Sequence, residues 1–430
     1  MTYSAGGHRR WLMVAAAFAA VLVGTPAQAA PRVDNPYLGA DVYVNPAWSR
    51  LAAEEPGGEA VADQPTAVWL DEVADVGGLP GHLDAALAQG ADVVQLVLHD
   101  LPGRDCHLMG ADGEFGSGDL DRYRREFVDP IVDVLAEPAY AGLRVVTVVE
   151  PHAIAALATY TGTSPVATPE CDTMLANGGY VNGIGYALGR LGELANAYSY
   201  LDIAHPGWLG WSYDAAPAVE LLYAAATAAG STADDVRGLI ANTADYAVLR
   251  EPYFAVTDII NGAPVLQSRW VDWRDHVDVE SYAAAFRGQL TQRGFPSDIG
   301  LLIDTSRNGW GGPARPAGPG PRTSVDAFVD GGRLDRRSRP DNWCNQAGAG
   351  LGERPAAAPA PGVDAYVWAK PPGESDGYAG PSTNPVERMC DPDAWPGRQP
   401  SGALPDAPPK GEWFPAHFRQ LLTNAWPPLT

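Results

Sequence analysis

Along the chain, short runs of β-branched and aromatic residues alternate with longer alanine-rich stretches. The runs Ala67–Leu70, Asp92–Leu98, Arg144–Val149, Tyr198–Ile203, Gly238–Asn242, Ile299–Ile303 and Val363–Trp368 are apolar almost without interruption. A strand with one face in water alternates apolar and polar positions, whereas a continuous apolar run suits a parallel strand buried on both faces. The stretches Leu120–Leu135, Tyr180–Ala197, Ala215–Ala229 and Val279–Arg293 read as helices. This alternation predicts an α/β fold, and barrel-like closure is the commonest arrangement at this length. The Pro- and Gly-rich segments Gly311–Arg322 and Pro355–Pro361 read as loops within the domain.

The first thirty residues follow another pattern. His8-Arg9-Arg10 precede thirteen uncharged, mostly apolar residues, Trp11 to Val23, and Ala27-Gln28-Ala29 fits the small-x-small cleavage rule. The apolar run is short for a bilayer span. Residues 1–29 are therefore expected to be a signal peptide and 30–430 a single domain, exported, soluble and monomeric. Export places Cys106, Cys171, Cys344 and Cys390 in an oxidising compartment. None lies in a Cys-x-x-Cys pair, so a zinc ribbon is not indicated. Of three possible pairings the local one, Cys106–Cys171 with Cys344–Cys390, closes loops of moderate length, each bridge stabilising by roughly 4 kcal/mol. Free buried thiols are the alternative.

Charge narrows the partners. With 52 acidic against 29 basic side chains, the formal charge of −23 repels nucleic acid and anionic membranes. There is no Gly-rich phosphate loop, His-Glu-x-x-His helix or Gly-x-Ser-x-Gly elbow. Neither a cofactor nor a resident metal is expected. Carboxylates, by contrast, gather at strand ends: Asp71, Asp100, Asp105, Glu150, Asp202, Asp304 and Asp376 all stand at or after the close of a strand-like run or motif. Chemistry collects at that edge of a parallel sheet, although a carboxylate there also caps the following helix. Trp208, Trp211, Trp343 and Trp368 fall in loop-like sequence, two of them beside glycines. Flat indoles that do not pack in the core stack on pyranose rings. Carboxylates beside such platforms suit glycosidic hydrolysis, in which one acid protonates the leaving oxygen and a carboxylate activates water or attacks the sugar.

Six ordered motifs sharpen this: Asn35-Pro-Tyr-Leu-Gly, Asp100-Leu-Pro-Gly-Arg-Asp-Cys106, Leu201-Asp-Ile-Ala-His-Pro-Gly-Trp-Leu-Gly-Trp211, Trp343-Cys-Asn, Trp368-Ala-Lys-Pro-Pro-Gly-Glu-Ser-Asp-Gly377 and Trp413-Phe with Gln420-Leu-Leu-Thr-Asn-Ala. From about Asn35 to Leu429 the chain resembles glycoside hydrolase family 6, the inverting cellulases and cellobiohydrolases. The resemblance implies a distorted, partly open (β/α) barrel with a glucan cleft, two disulfides in the local pairing, and a β-glucan polysaccharide or oligosaccharide as ligand. It implies that Asp105, with Arg104, tunes the acid and positions water, that Asp376 is the base-side carboxylate, and that Asp202 is structural or substrate-binding. His205, Trp208, Trp211, Trp343, Lys370 and Glu374 match glucan-binding positions, as do Asn242 in an altered Asn-x-x-Asn pattern and Tyr43 near the start of the cleft.

One departure stands out. Where the family carries Glu-Pro-Asp, with the aspartate as general acid, this sequence reads Glu150-Pro151-His152. An imidazolium can donate a proton, so His152 joins the catalytic candidates. Around it, His99 replaces a tyrosine and Ala111 a serine, and Asn242-Thr-Ala-Asp245 replaces Asn-x-x-Asn. The competing readings are that Asp112 or Glu114 supplies the proton, that His152 is a neutral hydrogen-bonded residue, or that His99, His107 and His152 surround a metal. A glucan hydrolase with an altered acid position is the expectation, with a weakly active or inactive glucan-binding protein as the alternative.

Overall fold

The computed structural model describes residues 1–3, 34–108, 113–379, 389–393 and 400–430. Among them, eight strands form one sheet: β1 (Val68–Leu70), β2 (Val93–Leu98), β3 (Arg144–Val149), β4 (Ala197–Asp202), β5 (Val236–Ala241), β6 (Gly300–Asp304), β7 (Ala356–Ala360) and β8 (Val363–Val367). Their order is β1-β2-β3-β4-β5-β6-β8-β7, and every neighbouring pair is parallel except β7 with β8. The sheet curls until Ala67 N–H, just before β1, donates to Trp368 C=O, just after β8, at 3.1 Å. Trp69 Nε1 adds a bond to Ala369 C=O at 2.8 Å. These bonds tie the β1 edge to the segment that leaves β8 without a strand ladder between the two, which makes the barrel distorted and partly open.

The strand period of two divides the apolar residues into layers. Val93, Val97, Val146, Val148, Tyr198, Tyr200, Ile240, Leu302, Ala365 and Val367 pack together inside the barrel. Their neighbours in sequence, among them Val94, Leu96, Leu98, Val145, Leu201, Leu239, Leu301 and Ile303, face the helices. Those helices include Gly179–Gly192, Ser212–Ala226 and Val279–Arg293. The interior is filled by rings: Tyr200 Oη donates to Asp364 Oδ2 at 2.7 Å. Gly238 and Gly300 make this possible, because a Cβ at either would collide with the Tyr200 ring or the Asp364 carboxylate respectively.

Two details differ from the sequence reading. Residues 120–135 are helical, but Tyr123–Val128 widens into a π-helix. Pro130 has no N–H to give the carbonyl of Glu126, which removes one α-helical bond at that junction. The expected loop Pro355–Pro361 contains the edge strand β7. Its Ala- and Pro-rich sequence carries little strand propensity; the unpaired edge of β8 supplies the partner, and an edge strand tolerates proline. Both disulfides form as Cys106–Cys171 and Cys344–Cys390. Residues 4–29 of the expected signal peptide lie outside the described residues. No described helix is long and apolar enough to cross a membrane.

Gly238→Ala is expected to destabilise the fold by about 1–3 kcal/mol through overpacking against Tyr200, read as a lower midpoint in urea denaturation. Adding Tyr200→Leu to the same chain should recover part of that loss.

Candidate functional site

The inward positions of the strands run on into the loops at their C-terminal ends. Thus His99 follows Val97, Asp202 follows Tyr200, Asn242 follows Ile240 and Asp304 follows Leu302, and all four are buried. Asp304 accepts N–H bonds from Ala244, Ser306 and Lys370. Asn242 donates from Nδ2 to the Asp304 carbonyl and accepts at Oδ1 from Ala247 N–H. Asp202 accepts at Oδ2 from His152 N–H (3.1 Å) and Ala204 N–H (3.0 Å), and at Oδ1 from the Thr243 hydroxyl (2.7 Å). His152 closes this ring, with Nε2 3.0 Å from the Thr243 carbonyl oxygen. A carbonyl only accepts, so Nε2 carries the hydrogen and Nδ1 is the ring atom left for other chemistry.

The His152 ring stacks on Trp208, with centroids 5.9 Å apart and planes inclined by 28°, and meets His99 edge-on at 6.3 Å. His99 Nε2 lies 3.8 Å from Asp105 Oδ1. One ligating atom from each of His99, Asp105 and His152 falls within 4.8 Å of the other two. A cavity of about 10 Å³ opens among His99, Arg104, Asp105, His107 and His152, room for one water-sized occupant. Burial holds the His99 imidazole well below its ordinary range against the pull of Asp105. Burial also pushes the Asp105 carboxyl up, but the interaction with His99, then with Lys410 and the neighbouring imidazoles, holds it below the usual carboxylate range. His107, pushed down to about 4 by burial, packs its ring against Tyr160 and Trp208.

A second carboxylate centre forms around Asp376. Both its oxygens lie 2.8 Å from Arg307 Nη1, and Tyr246 Oη (2.9 Å) and Asn345 N–H (2.8 Å) donate to Oδ2. Burial pushes this carboxyl up, yet the charges of Arg307 and Lys370 outweigh it and hold Asp376 below its ordinary range. Lys370 Nζ lies 3.6 Å from Glu374 Oε2 and 5.6 Å above the Trp69 ring. Trp69 in turn meets His99 edge-on at 5.7 Å, so Lys370 and Trp69 link the two centres. His205 Nε2 lies 3.4 Å from Asp245 Oδ2, and Arg337 Nη1 binds the other oxygen of Asp245 at 3.1 Å.

Residues 40–425 match the family model described as glycosyl hydrolases family 6. The chain belongs to that family. It is 40% identical to Exoglucanase A of Cellulomonas fimi over 94% of its own length, and spans 50% of that longer protein. It is 32% identical to the probable 1,4-beta-D-glucan cellobiohydrolase C of Aspergillus niger, over 94% of this chain and 80% of the other. The fold superposes on the catalytic domain of Cellulomonas fimi Cel6B with a TM-score of 0.86 at 38% identity, covering 93% of this chain and 97% of that one. Cellobiohydrolase II of Humicola insolens, in complex with glucose and cellotetraose, superposes with a TM-score of 0.71 at 28% identity, covering 92% and 99%.

In this family 6 chain, Trp208, Trp211 and Trp343 are half-buried. Their ring edges are anchored where partners exist: Trp208 Nε1 donates to Thr159 Oγ1 and Trp211 Nε1 to the Asp272 carbonyl. Three expectations need correction. Trp368 is 0% exposed, packs edge-on against Trp48, and cannot serve as a sugar platform. Tyr43 is 1% exposed, its hydroxyl bonded to His82 Nδ1, because its position falls in the layer between sheet and helices. Asn242 spends its amide on Asp304 and Ala247. The competing reading of a metal among His99, His107 and His152 is not met as stated: among the described residues Asp105, rather than His107, places a ligating atom beside those of His99 and His152. Ala111 and Asp112 lie outside the described residues. Glu114 accepts from Val73 N–H at 2.5 Å.

Sequence reasoning missed Arg307, Tyr246, Asp245's ion pair with Arg337, Trp69 and the 58% exposed Trp273. An arginine three residues after the strand-end Asp304 was the available signal for Arg307. Asp376→Asn is expected to cost about 3–5 kcal/mol at pH 7, since Arg307 stays buried without its counter-charge. A carboxyl held low in the folded state stabilises above its unfolded pKa and loses that contribution as pH falls. The gap between wild type and Asp376→Asn should therefore narrow below pH 4, as measured by denaturant unfolding at stepped pH.

Proposed function

We propose that the chain is an exported, monomeric β-1,4-glucan hydrolase acting with inversion, with Asp376 as the base-side carboxylate and His152 at the position of the general acid. The observation that carries this reading is the pairing of Asp376, kept ionised by Arg307, with half-buried indoles at the barrel mouth of a family 6 scaffold. An ionised carboxylate takes a proton from water as it attacks the anomeric carbon. The names of its relatives, an exoglucanase and a cellobiohydrolase, support a β-1,4-glucan as substrate. Asp105, Lys370 and Glu374 would then contact the glucan, with Trp208, Trp211, Trp343 and the exposed Trp273 as sugar platforms.

A second reading, a glucan-binding protein with little turnover, draws on the proton donors. Burial pushes Asp100 up to about 9 and Glu150 up to about 7, so both are held toward the protonated form. Both are also buried, and Glu150 is turned toward Tyr123 Oη and the N–H groups of Asp100 and Leu101. Neither faces a polymer. His152 Nδ1 is then the proposed proton source, with Asp112, which lies outside the described residues, or solvent as the competing ones.

Reducing-end release from barley β-glucan and phosphoric-acid-swollen cellulose tests the choice. Wild type is expected to release sugar with the α-anomer first. Asp376→Ala should abolish release, and His152→Asp should raise kcat by about 100-fold, the low end of what a positioned acid contributes. If neither wild type nor His152→Asp releases sugar while cellotetraose still binds in calorimetry, the binding reading replaces the hydrolytic one.

A further inference from the structure

The His99–Asp105–His152 cluster has a composition and spacing that proton transfer does not require. Two imidazoles and one carboxylate come from three separate segments: the end of β2, the loop before Cys106, and the residue that opens helix Ala153–Thr159. Their ligating atoms fall within 4.8 Å of one another, around a cavity of about 10 Å³. We propose that His99, Asp105 and His152 form a binding site for a divalent first-row transition-metal ion, with zinc as the representative.

Four features support the assignment. Two histidines and one carboxylate, with a position left open, are a donor set for zinc and related ions, whereas magnesium and calcium favour oxygen ligands. A tetrahedral ion with bonds near 2.0–2.1 Å spaces its ligands roughly 3.4 Å apart. His99 Nε2 and Asp105 Oδ1 already stand at 3.8 Å, and with all three atoms within 4.8 Å closure needs a shift of at most about 1.4 Å for any pair. His152 is oriented as a ligating histidine usually is, its Nε2–H on the Thr243 carbonyl leaving Nδ1 as the donor to the ion. Finally, His99 Nδ1 is buried with no hydrogen-bond partner among the described residues, so Nε2, beside Asp105, is the ring atom that meets the cluster. The positive charges of Arg104 and Lys410 act on the same cluster and weaken its hold on a dication, which the Asp105 carboxylate offsets.

The inference does not depend on which polymer the chain acts on, or on whether it acts at all. It adds a consequence where the hydrolytic reading holds: an imidazole whose Nδ1 lone pair is given to an ion cannot carry the proton for the leaving oxygen. Bound zinc and hydrolysis then exclude one another.

The test is metal binding by the whole untagged chain, after stripping with a chelator. Calorimetry with zinc should give one site per chain. Cobalt(II) should give visible d–d bands of the intensity of a four- or five-coordinate ion. His99→Gln and His152→Asn should each weaken zinc binding by at least the roughly 10–100-fold that losing an outer-shell partner already costs. His107→Asn, close by but outside the trio, should leave it unchanged. Circular dichroism of each variant establishes that it is folded; for a variant that is not, the cobalt spectrum of wild type decides. Absence of binding to wild type, only weak six-coordinate cobalt bands, unchanged affinity in a folded His99→Gln or His152→Asn, or an equal loss in His107→Asn would each overturn the proposal. Because these readouts need no substrate, failure of the metal site and failure of the hydrolytic reading are distinguishable.

Discussion

Everything at the barrel mouth depends on side chains alternating across strands that are buried on both faces. Once Val97, Tyr200, Ile240 and Leu302 are committed to the interior, the next inward residue of each strand is placed at the rim. That residue is His99, Asp202, Asn242 or Asp304. A slip of one residue in any strand would turn its apolar set onto the wrong layer. The register is therefore held by burial of many side chains, each worth about 1.5–3 kcal/mol, and polar residues at the rim inherit that precision without contributing to it. Gly238 and Gly300 serve the same constraint by admitting the Tyr200 ring and Asp364 into the space that strand side chains would otherwise fill.

Beyond the strand ends the backbone leaves its easy conformations. Asp105, Glu150, His152, Ala204, Asn242 and Ala244 all have positive φ, between 49° and 70°, and each such non-glycine residue costs about 1–2 kcal/mol. Internal hydrogen bonds hold them there: Asp202 fixes His152 and Ala204, Asp304 fixes Ala244, and Glu150 fixes the turn at Asp100 and Leu101. Strain that the surrounding structure over-determines is a common property of sites where groups must be held in advance of their ligand. Here it aims one imidazole, His152, with a single ring nitrogen left open.

Buried arginines supply the electrostatic frame. Arg307 neutralises Asp376, and Arg337 joins Asp245 and Asp335. Such pairs are costly to desolvate, and losing one partner costs more than the pair contributes. Their effect at the rim is to fix which carboxylates stay ionised, while burial drives Asp100 and Glu150 toward the neutral acid. Two populations of carboxyl groups thus coexist at one end of the sheet.

The apolar runs alone determined the strands, because continuous burial leaves a continuous pattern; seven of the eight were legible that way. Within this sheet β7 was not, since its Ala- and Pro-rich sequence becomes a strand by pairing with the edge of β8. The ordered motifs likewise singled out Asp105, Asp376, His205 and the Trp208–Trp211 pair, and the departure at Glu150-Pro151-His152 singled out His152, because local spacing survives in a linear chain. What the tertiary structure decided were relations across the chain. Trp368 and Tyr43 went inward because neighbouring elements cover them, Arg307 reached Asp376 across 69 positions, and Asp105 rather than His107 met His99 and His152. Those outcomes rest on distances between separate strands and loops, which residue order does not encode locally and which packing alone sets.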